Sequence, residues 1–257
     1  MSAQANIYDY PEYYDLVYGS DWESEYEFLL DCFDRYLNKK PKHIFEPACG
    51  TGRLLYRLGI EGYTVSGNDL NRKSIEFCNR RLADHSLPEL AFVGDMSDFK
   101  LEQPMDVGFN MINSFRHLSS ESQAVSHLKC MRESIVERGI YVLGLHLSPL
   151  AGETCDEESW TATQDGLSIT SRLWLVNRNL QARFEEYEMS YQITTLDEST
   201  EITDKLKFRT YTAEQFEKLI ASSGFEIEEV HDFSYDVDHS FFLNERIEDA
   251  VFILRAV

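Results

Sequence analysis

The chain predicts an α/β protein: a doubly wound sheet of mainly parallel strands, interrupted by a β-rich insert. Three observations carry that prediction. Short apolar runs alternate with helical periodicity through residue 148 and again near the C-terminus. A glycine turn, Cys49-Gly50-Thr51-Gly52, joins the first of those runs to a helix. Between the two α/β stretches, residues 149–207 alternate polar and apolar side chains with period two, as antiparallel strands do.

The elements follow in order. From Asp21 to Asn38 the side chains Trp22, Tyr26, Leu29, Leu30, Phe33 and Leu37 recur every three or four residues, an amphipathic helix with Ser20 or Asp21 as N-cap. HIFEPACGTGRLLYRL reads as strand, glycine turn and helix. YTVSGNDL and ELAFVGDM are the second and third strands, with the helix RKSIEFCNRRLADH between them. MDVGFNMI is a fourth strand, SSESQAVSHLKCMRESIVERG a helix and IYVLGLHL a fifth strand. In the insert, SITSRLWLV, ARFEEYEMSYQITTL and EITDKLKFRTY read as strands, with VNRNLQ as a hairpin turn. TAEQFEKLIASSGF is a helix with a Thr cap and a Gly stop, followed by the strands EIEEVHDF and DAVFILRAV. Residues 1–148 and 208–257 thus read as one α/β domain, and 149–207 as an antiparallel cap.

Composition limits the function classes. With 257 residues, 43% of them apolar, the chain buries roughly 70–75% of its unfolded surface without needing a staple. No apolar run approaches the roughly 20 residues of a membrane span. The opening MSAQANIYDYPEYYDLVYG lacks the cationic start and apolar segment of a secretory signal. Five dispersed cysteines (Cys32, Cys49, Cys78, Cys130, Cys155) form no CxxC pair, which speaks against disulfides and metal clusters and for a cytoplasmic setting. A net charge of −21 opposes a phosphate backbone, so nucleic acid is not expected as a partner, nor is a membrane.

The glycine turn suggests a ligand. Gly50 and Gly52 remove side chains where a ligand meets backbone, and the next helix begins with unsatisfied amide donors. Asp69 ends the second strand, where a carboxylate accepts bonds from both ribose hydroxyls. Asp95 and Met96 end the third, offering polar and apolar sides to a purine. In an open parallel sheet these strand ends converge on one crevice. A dinucleotide turn, G-x-G-x-x-G/A, needs a small third residue where this chain has Leu55, and no G-x-x-x-x-G-K-[ST] is present. The expected ligand is a nucleoside without pyrophosphate.

EPACGTGR, Asp69, GDM at 94–96 and DVGFNMINSFRHL at 106–118, with the opening YPEYYDLVYG and the late RTYTAEQFEKLIASSGFEI, resemble class I S-adenosylmethionine-dependent methyltransferases, in particular the small-molecule branch with sugar-amine and glycine-type N-methyltransferases. The resemblance implies a Rossmann-like, seven-stranded, mainly parallel sheet with helices on both faces and the insert after the fifth strand. It implies S-adenosyl-L-methionine as cofactor and a small-molecule acceptor methylated on nitrogen or oxygen, by a monomer or homodimer. Glu46, Ala48, Gly50 and Gly52 would line the methionine part, Arg53 would pair with its carboxylate, and the Asn110 backbone carbonyl would meet its ammonium. Asp69 would hold the ribose, Asp95 and Met96 the adenine, and Leu70 would pack against the nucleoside. Ala48 stands where many members have glycine.

Methyl transfer from a sulfonium chiefly needs alignment and exclusion of water, with a base only for a protonated acceptor. His117, after the fourth strand, and His146, ending the fifth, are the candidate bases. Tyr14 is expected to cover the sulfonium with its ring or phenol oxygen. His43, His85 and His127 read as surface or packing residues. Trp160, Arg172, Trp174 and Tyr191 are candidates for a lid over the acceptor. The rival readings are a protein or RNA methyltransferase of the same fold, and a non-catalytic module that binds S-adenosylmethionine.

Overall fold

The computed structural model describes residues 2–4, 6–20, 22–151 and 154–257. The chain runs β1 (Ser2–Gln4), α1 (Pro11–Gly19), α2 (Glu23–Tyr36), β2 (His43–Pro47), α3 (Leu55–Ile60), β3 (Thr64–Asp69), α4 (Arg72–Asp84), β4 (Ala91–Val93), β5 (Met105–Asn110), α5 (Glu121–Ser134) and β6 (Ile135–His146). It continues through β7 (Glu157–Gln164), β8 (Leu167–Asn179), β9 (Phe184–Thr194), β10 (Ser199–Arg209), α6 (Ala213–Ala221), β11 (Phe225–His231) and β12 (Asp249–Ala256).

Seven strands form one sheet in the order β11-β12-β6-β5-β2-β3-β4, in which only β12 runs against its neighbours. Strand residues alternate between two apolar layers, so both faces are buried as the near-continuous apolar runs require. Phe45, Tyr141, Leu143, Phe252 and Leu254 pack toward α5 and α6. Ile44, Val107, Phe109, Val142 and Val251 pack toward α2, α3 and α4. The order reverses between β2 and β5, which opens a crevice at their C-terminal ends.

A second sheet, in the order β1-β10-β9-β8-β7, covers that crevice. Its strands β7 to β10 pair antiparallel, while β1 adds to β10 in parallel. The extreme N-terminus therefore joins the sheet of the insert rather than the larger one. A third apolar cluster, with Ile7 and Val17 from the N-terminal segment and Ile169, Met189, Tyr191 and Ile202 from the insert, ties α1 to this cap.

Three local expectations are corrected. Ser20 closes α1 through its hydroxyl to the Val17 carbonyl instead of opening the next helix, and Asp21 lies outside the described residues. The helix α2 starts at Glu23, behind Trp22, with no side-chain cap bond. VNRNLQ is not the hairpin turn: β8 runs to Asn179 with an irregularity between Leu175 and Asn177, and the turn falls at 180–183. Cross-strand partners decide this, since Asn177 donates to Glu186 and Arg178 to Glu185. By contrast Thr212 does cap α6, in a reciprocal capping box with Gln215.

The two sheets are joined by ion pairs at Glu185. Its buried carboxylate takes Arg116, which sits after β5 and also donates to the Arg209 carbonyl, and Arg178 at 2.6 Å. Glu185→Ala would strand both guanidinium groups, so urea unfolding should show a loss of about 3–5 kcal/mol. A loss below about 1 kcal/mol would mean that apolar contacts alone hold the cap. A second test concerns His127, a packing residue whose Nδ1–H donates to the Met96 carbonyl at 2.8 Å and whose Nε2 accepts from Tyr141 at 2.9 Å. Burial pushes it down to about 4. The unfolded chain binds this proton near pH 6.5, so the stabilisation is complete above that pH and fades as pH falls from 6.5 toward 4. In His127→Gln the decline in urea midpoint over that window should be shallower; an unchanged decline would assign it to other groups.

Candidate active site

One cavity of about 550 Å³ lies between the C-terminal strand ends and the inner face of the insert, in the size range of small-ligand sites. Its lower wall is built from turns. Ala48, Gly50 and Gly52 all have left-handed φ, at 53°, 52° and 66°. Ala48 in that region explains why glycine suits the position, since a Cβ there costs about 1–2 kcal/mol. A Cβ on Gly50 would sit 3.4 Å from the Tyr14 ring, and one on Gly52 would collide with Cys78 Sγ at 2.4 Å. Asp69, at the end of β3, ties this turn down. One carboxylate oxygen accepts from Gly50 N at 3.0 Å, the other from Asn71 N at 2.8 Å. Burial raises its carboxyl, and these two amide bonds oppose the rise. Leu70 and Met96 add apolar surface beside it.

Tyr14, from α1, stands over the glycine turn. Its ring lies 5.3 Å from Tyr8 and 4.7 Å from Tyr18, and Tyr18 in turn hydrogen-bonds Tyr191 at 3.0 Å. Burial holds all three phenols near the cavity, Tyr8, Tyr14 and Tyr18, well above their ordinary pKa, so they stay neutral donors and acceptors. The insert supplies the opposite wall from alternate residues: Glu158 and Trp160 of β7, Leu173 of β8, Tyr187 and Met189 of β9, and Leu206 and Phe208 of β10.

Both candidate histidines reach the cavity. His117 ends a short 3-10 turn, Ser114–His117, with Nε2 3.3 Å from the Tyr8 hydroxyl and its ring against Phe208. Its ring is exposed along the cavity wall. Desolvation, with Arg116 adding to it, pushes His117 down to about 4, so it is an uncharged imidazole at neutral pH. His146 ends β6, opposite Asp249 of β12. Its Nδ1 lies 2.8 Å from an Asp249 oxygen, which fixes the proton on Nδ1 and leaves the Nε2 lone pair available. Asn113, in the left-handed region, positions this strand end by accepting from His146 N at 2.7 Å.

Of the site residues expected from sequence, Tyr14, Ala48, Gly50, Asp69, Leu70, Met96, His117 and His146 line this one cavity. Glu46, Gly52, Arg53, Asp95 and Asn110 adjoin the same turns and strand ends but are not on its lining. One end of the Arg53 guanidinium is held in a buried ion pair with Glu25 at 2.5 Å, which leaves its Nη1 without a partner. The Asp95 carboxylate turns back onto its own loop, to the amide and hydroxyl of Ser97. Asn110 donates from its side chain to the Pro47 carbonyl. Glu46 is buried, and desolvation pushes its carboxyl up against the opposing pull of Arg53. Four of the residues at these strand ends keep buried polar atoms without a partner: Glu46 Oε2, Arg53 Nη1, both amide atoms of Asn68, and Asn110 Oδ1. Trp160 is on the lid as expected, but Tyr191 packs behind Tyr18, and Arg172 and Trp174 take the outer face of β8, where Arg172 pairs with Glu157. Tyr8, Asn71, Arg116, Glu158 and Glu248 escaped the sequence reading. Alternation told that each strand of the insert has two faces, but not which face is inward. No cluster of metal-binding residues occurs among the described residues.

Comparison with known proteins places this geometry. Residues 44–139 match the family model described as a methyltransferase domain. A Geobacillus sp. (strain WCH70) protein, GWCH70_2453, whose name assigns it to the methyltransferases, is 21% identical over 210 residues, 81% of this chain and 83% of its own length. Streptomyces venezuelae DesVI superposes with a TM-score of 0.80 at 18% identity, covering 97% of this chain and 99% of that one. CalS10 of Micromonospora echinaspora, described as an amino pentose methyltransferase with SAM bound, gives 0.75 at 16% identity over 99% and 98%. Residues 44–139 are thus a methyltransferase domain, and the whole chain is built on the fold of the S-adenosylmethionine-dependent methyltransferases.

Proposed function

We propose that this chain transfers a methyl group from S-adenosylmethionine to a nitrogen or oxygen of a small molecule held beneath the insert. The observation that carries this reading is the single cavity whose one wall is the glycine turn and Asp69, and whose other wall is the aromatic inner face of the cap.

The residues present fit the cofactor. Each Asp69 oxygen accepts one amide bond and keeps a further lone pair for a ribose hydroxyl. Leu70 and Met96 offer the apolar faces that a purine needs. The partnerless Glu46 Oε2 and Arg53 Nη1 are an acceptor and a donor, matching the ammonium and carboxylate of an amino acid. When bound, the cofactor supplies a methyl group on a sulfonium, which leaves as the electron pair of the S–C bond returns to sulfur.

The chain's own groups do the rest. Tyr14, pinned between Tyr8 and Tyr18, presents a neutral ring and phenol to positive charge above Gly50. The cap excludes water with Phe208, Met189 and Leu206. His146, oriented by Asp249, and His117 are positioned to take a proton from the acceptor.

Asp69→Ala should weaken S-adenosylmethionine binding by about 1–3 kcal/mol in calorimetry, because the glycine turn and the ribose both lose their acceptor; unchanged affinity would remove Asp69 from the site. For the reaction, purified chain with labelled S-adenosylmethionine and a fractionated metabolite pool should release S-adenosylhomocysteine in specific fractions. With an active fraction in hand, His117→Ala and His146→Ala should lower kcat by roughly tenfold or more while cofactor affinity holds. The His117 contribution needs the free base, so it should persist from pH 8 to about 5 and fall as pH approaches 4. A fall centred at pH 6.5 that His117→Ala abolishes would contradict the lowered pKa of this imidazole.

A further inference from the structure

The insert gives the acceptor half of the cavity an apolar wall, and what that wall selects rests on the reading above that an acceptor binds there. Five side chains on three neighbouring strands form it: Leu173 of β8, Tyr187 and Met189 of β9, and Leu206 and Phe208 of β10. Leu173 lies opposite Met189 and Tyr187 opposite Leu206, and cross-strand partners share a face. The patch is therefore continuous, about 10 Å wide from β8 to β10. It is also held in place. The Met189 sulfur accepts from the Tyr191 hydroxyl at 3.3 Å. The Arg116 guanidinium lies 5.1 Å from the centre of the Phe208 ring, and the rings of His117 and Tyr187 flank it at 4.9 and 5.8 Å.

Of these five side chains only Tyr187 carries a hydroxyl, and it already donates to Glu185 at 3.2 Å. A polyhydroxylated ring laid here would give up water around its hydroxyls and gain no partner for them. An aromatic face instead buries carbon against carbon and meets the rings of Phe208 and Tyr187. The wall also limits charge. Glu158 borders the patch opposite Leu173, and Glu248 lines the same cavity, its carboxylate accepting from Cys155 N at 3.2 Å. Arg116 is the sole Lys or Arg on the lining among the described residues, and it is committed to Glu185 and the Arg209 carbonyl. A phosphate or carboxylate entering here meets two like charges and no free cation.

We propose that the acceptor is a small aromatic compound without phosphate or carboxylate, its ring laid on Leu173, Met189, Leu206 and Phe208. Met189 and Leu206 set that preference, since a polar side chain at either would break the patch between Leu173 and Phe208. His117, packed on Phe208, puts a proton acceptor at the edge of the patch. The nitrogen or oxygen to be methylated is therefore a substituent of the ring: its lone pair forms the new bond to the methyl carbon, and its proton passes to the imidazole. Polyhydroxylated and phosphorylated acceptors are excluded by the same wall.

The test is a calorimetric titration of the full chain at pH 7, with and without saturating S-adenosylhomocysteine, using three probes of comparable size: 2-naphthol, methyl glucoside and 2-naphthoate. The naphthol should bind at least about tenfold more tightly than either of the others. Leu206→Asn and Met189→Gln, which keep side-chain size, should each lower naphthol affinity by about five- to tenfold, with circular dichroism showing an unchanged fold. Glucoside or naphthoate binding as tightly as the naphthol, unchanged naphthol affinity in a folded Leu206→Asn chain, or no naphthol binding at millimolar concentration would overturn the proposal. Failure of S-adenosylhomocysteine to bind the unaltered chain, with the naphthol preference intact, would instead overturn the methyl-transfer reading and leave the aromatic selection standing.

Discussion

Glu185 is a carboxylate with 2% exposure, held between two arginines from different parts of the chain, and the cavity exists because of it. Arg116 belongs to the turn that follows β5, one of the strands flanking the crevice. Arg178 reaches from β8 and also contacts Thr154 and Asp156 at the approach to the cap. A charge this deep is tolerable only when paired, so the geometry is over-determined. With Glu185 satisfied, β9 is held over the strand ends, and Tyr187 and Met189 share the cavity with Tyr14 and His117. The bond that joins the sheets also withdraws the wall's arginine from ligand binding.

The floor of the cavity follows a different logic. A reversal in strand order leaves the ends of β2 and β5 without a crossover between them, and the chain lines that gap with turns. Three left-handed residues at alternate positions, Ala48, Gly50 and Gly52, bring backbone rather than long side chains to the surface. Asp69 then bonds the turn to the next strand. Five buried polar atoms at the neighbouring positions Glu46, Arg53, Asn68 and Asn110 lack partners, a concentration that packing alone does not account for. They are where a polar ligand would be expected to complete the structure.

Much of this was legible in the residues. Alternation of strand and helix, the glycine turn and its acidic follower at Asp69 are local patterns, and all seven strands of the main sheet include the segments read as strands, although β6 begins earlier, in the IVERG read as the end of a helix. What was not legible depends on distant partners. Arg53 reads as a free first-turn arginine until Glu25, on a different helix, claims it. VNRN reads as a turn because it is polar, yet its Asn177 and Arg178 find carboxylates on the opposite strand. Tyr8 lies in a segment whose position is set by β1 joining the cap, which no local periodicity reports. Arg172 and Trp174 were plausible lid residues because alternation defines two faces without saying which is inward.

What occupies the space between Asp69 and the cap decides whether this cavity is a methyl-transfer site. A crystal structure of the chain grown with S-adenosylhomocysteine tests it most directly. The expected result is a nucleoside between Asp69 and Met96, with the sulfur beneath Tyr14 and empty volume left toward Met189 and Phe208. A nucleoside bound elsewhere, or a cavity that takes up a dinucleotide in preference, would contradict it.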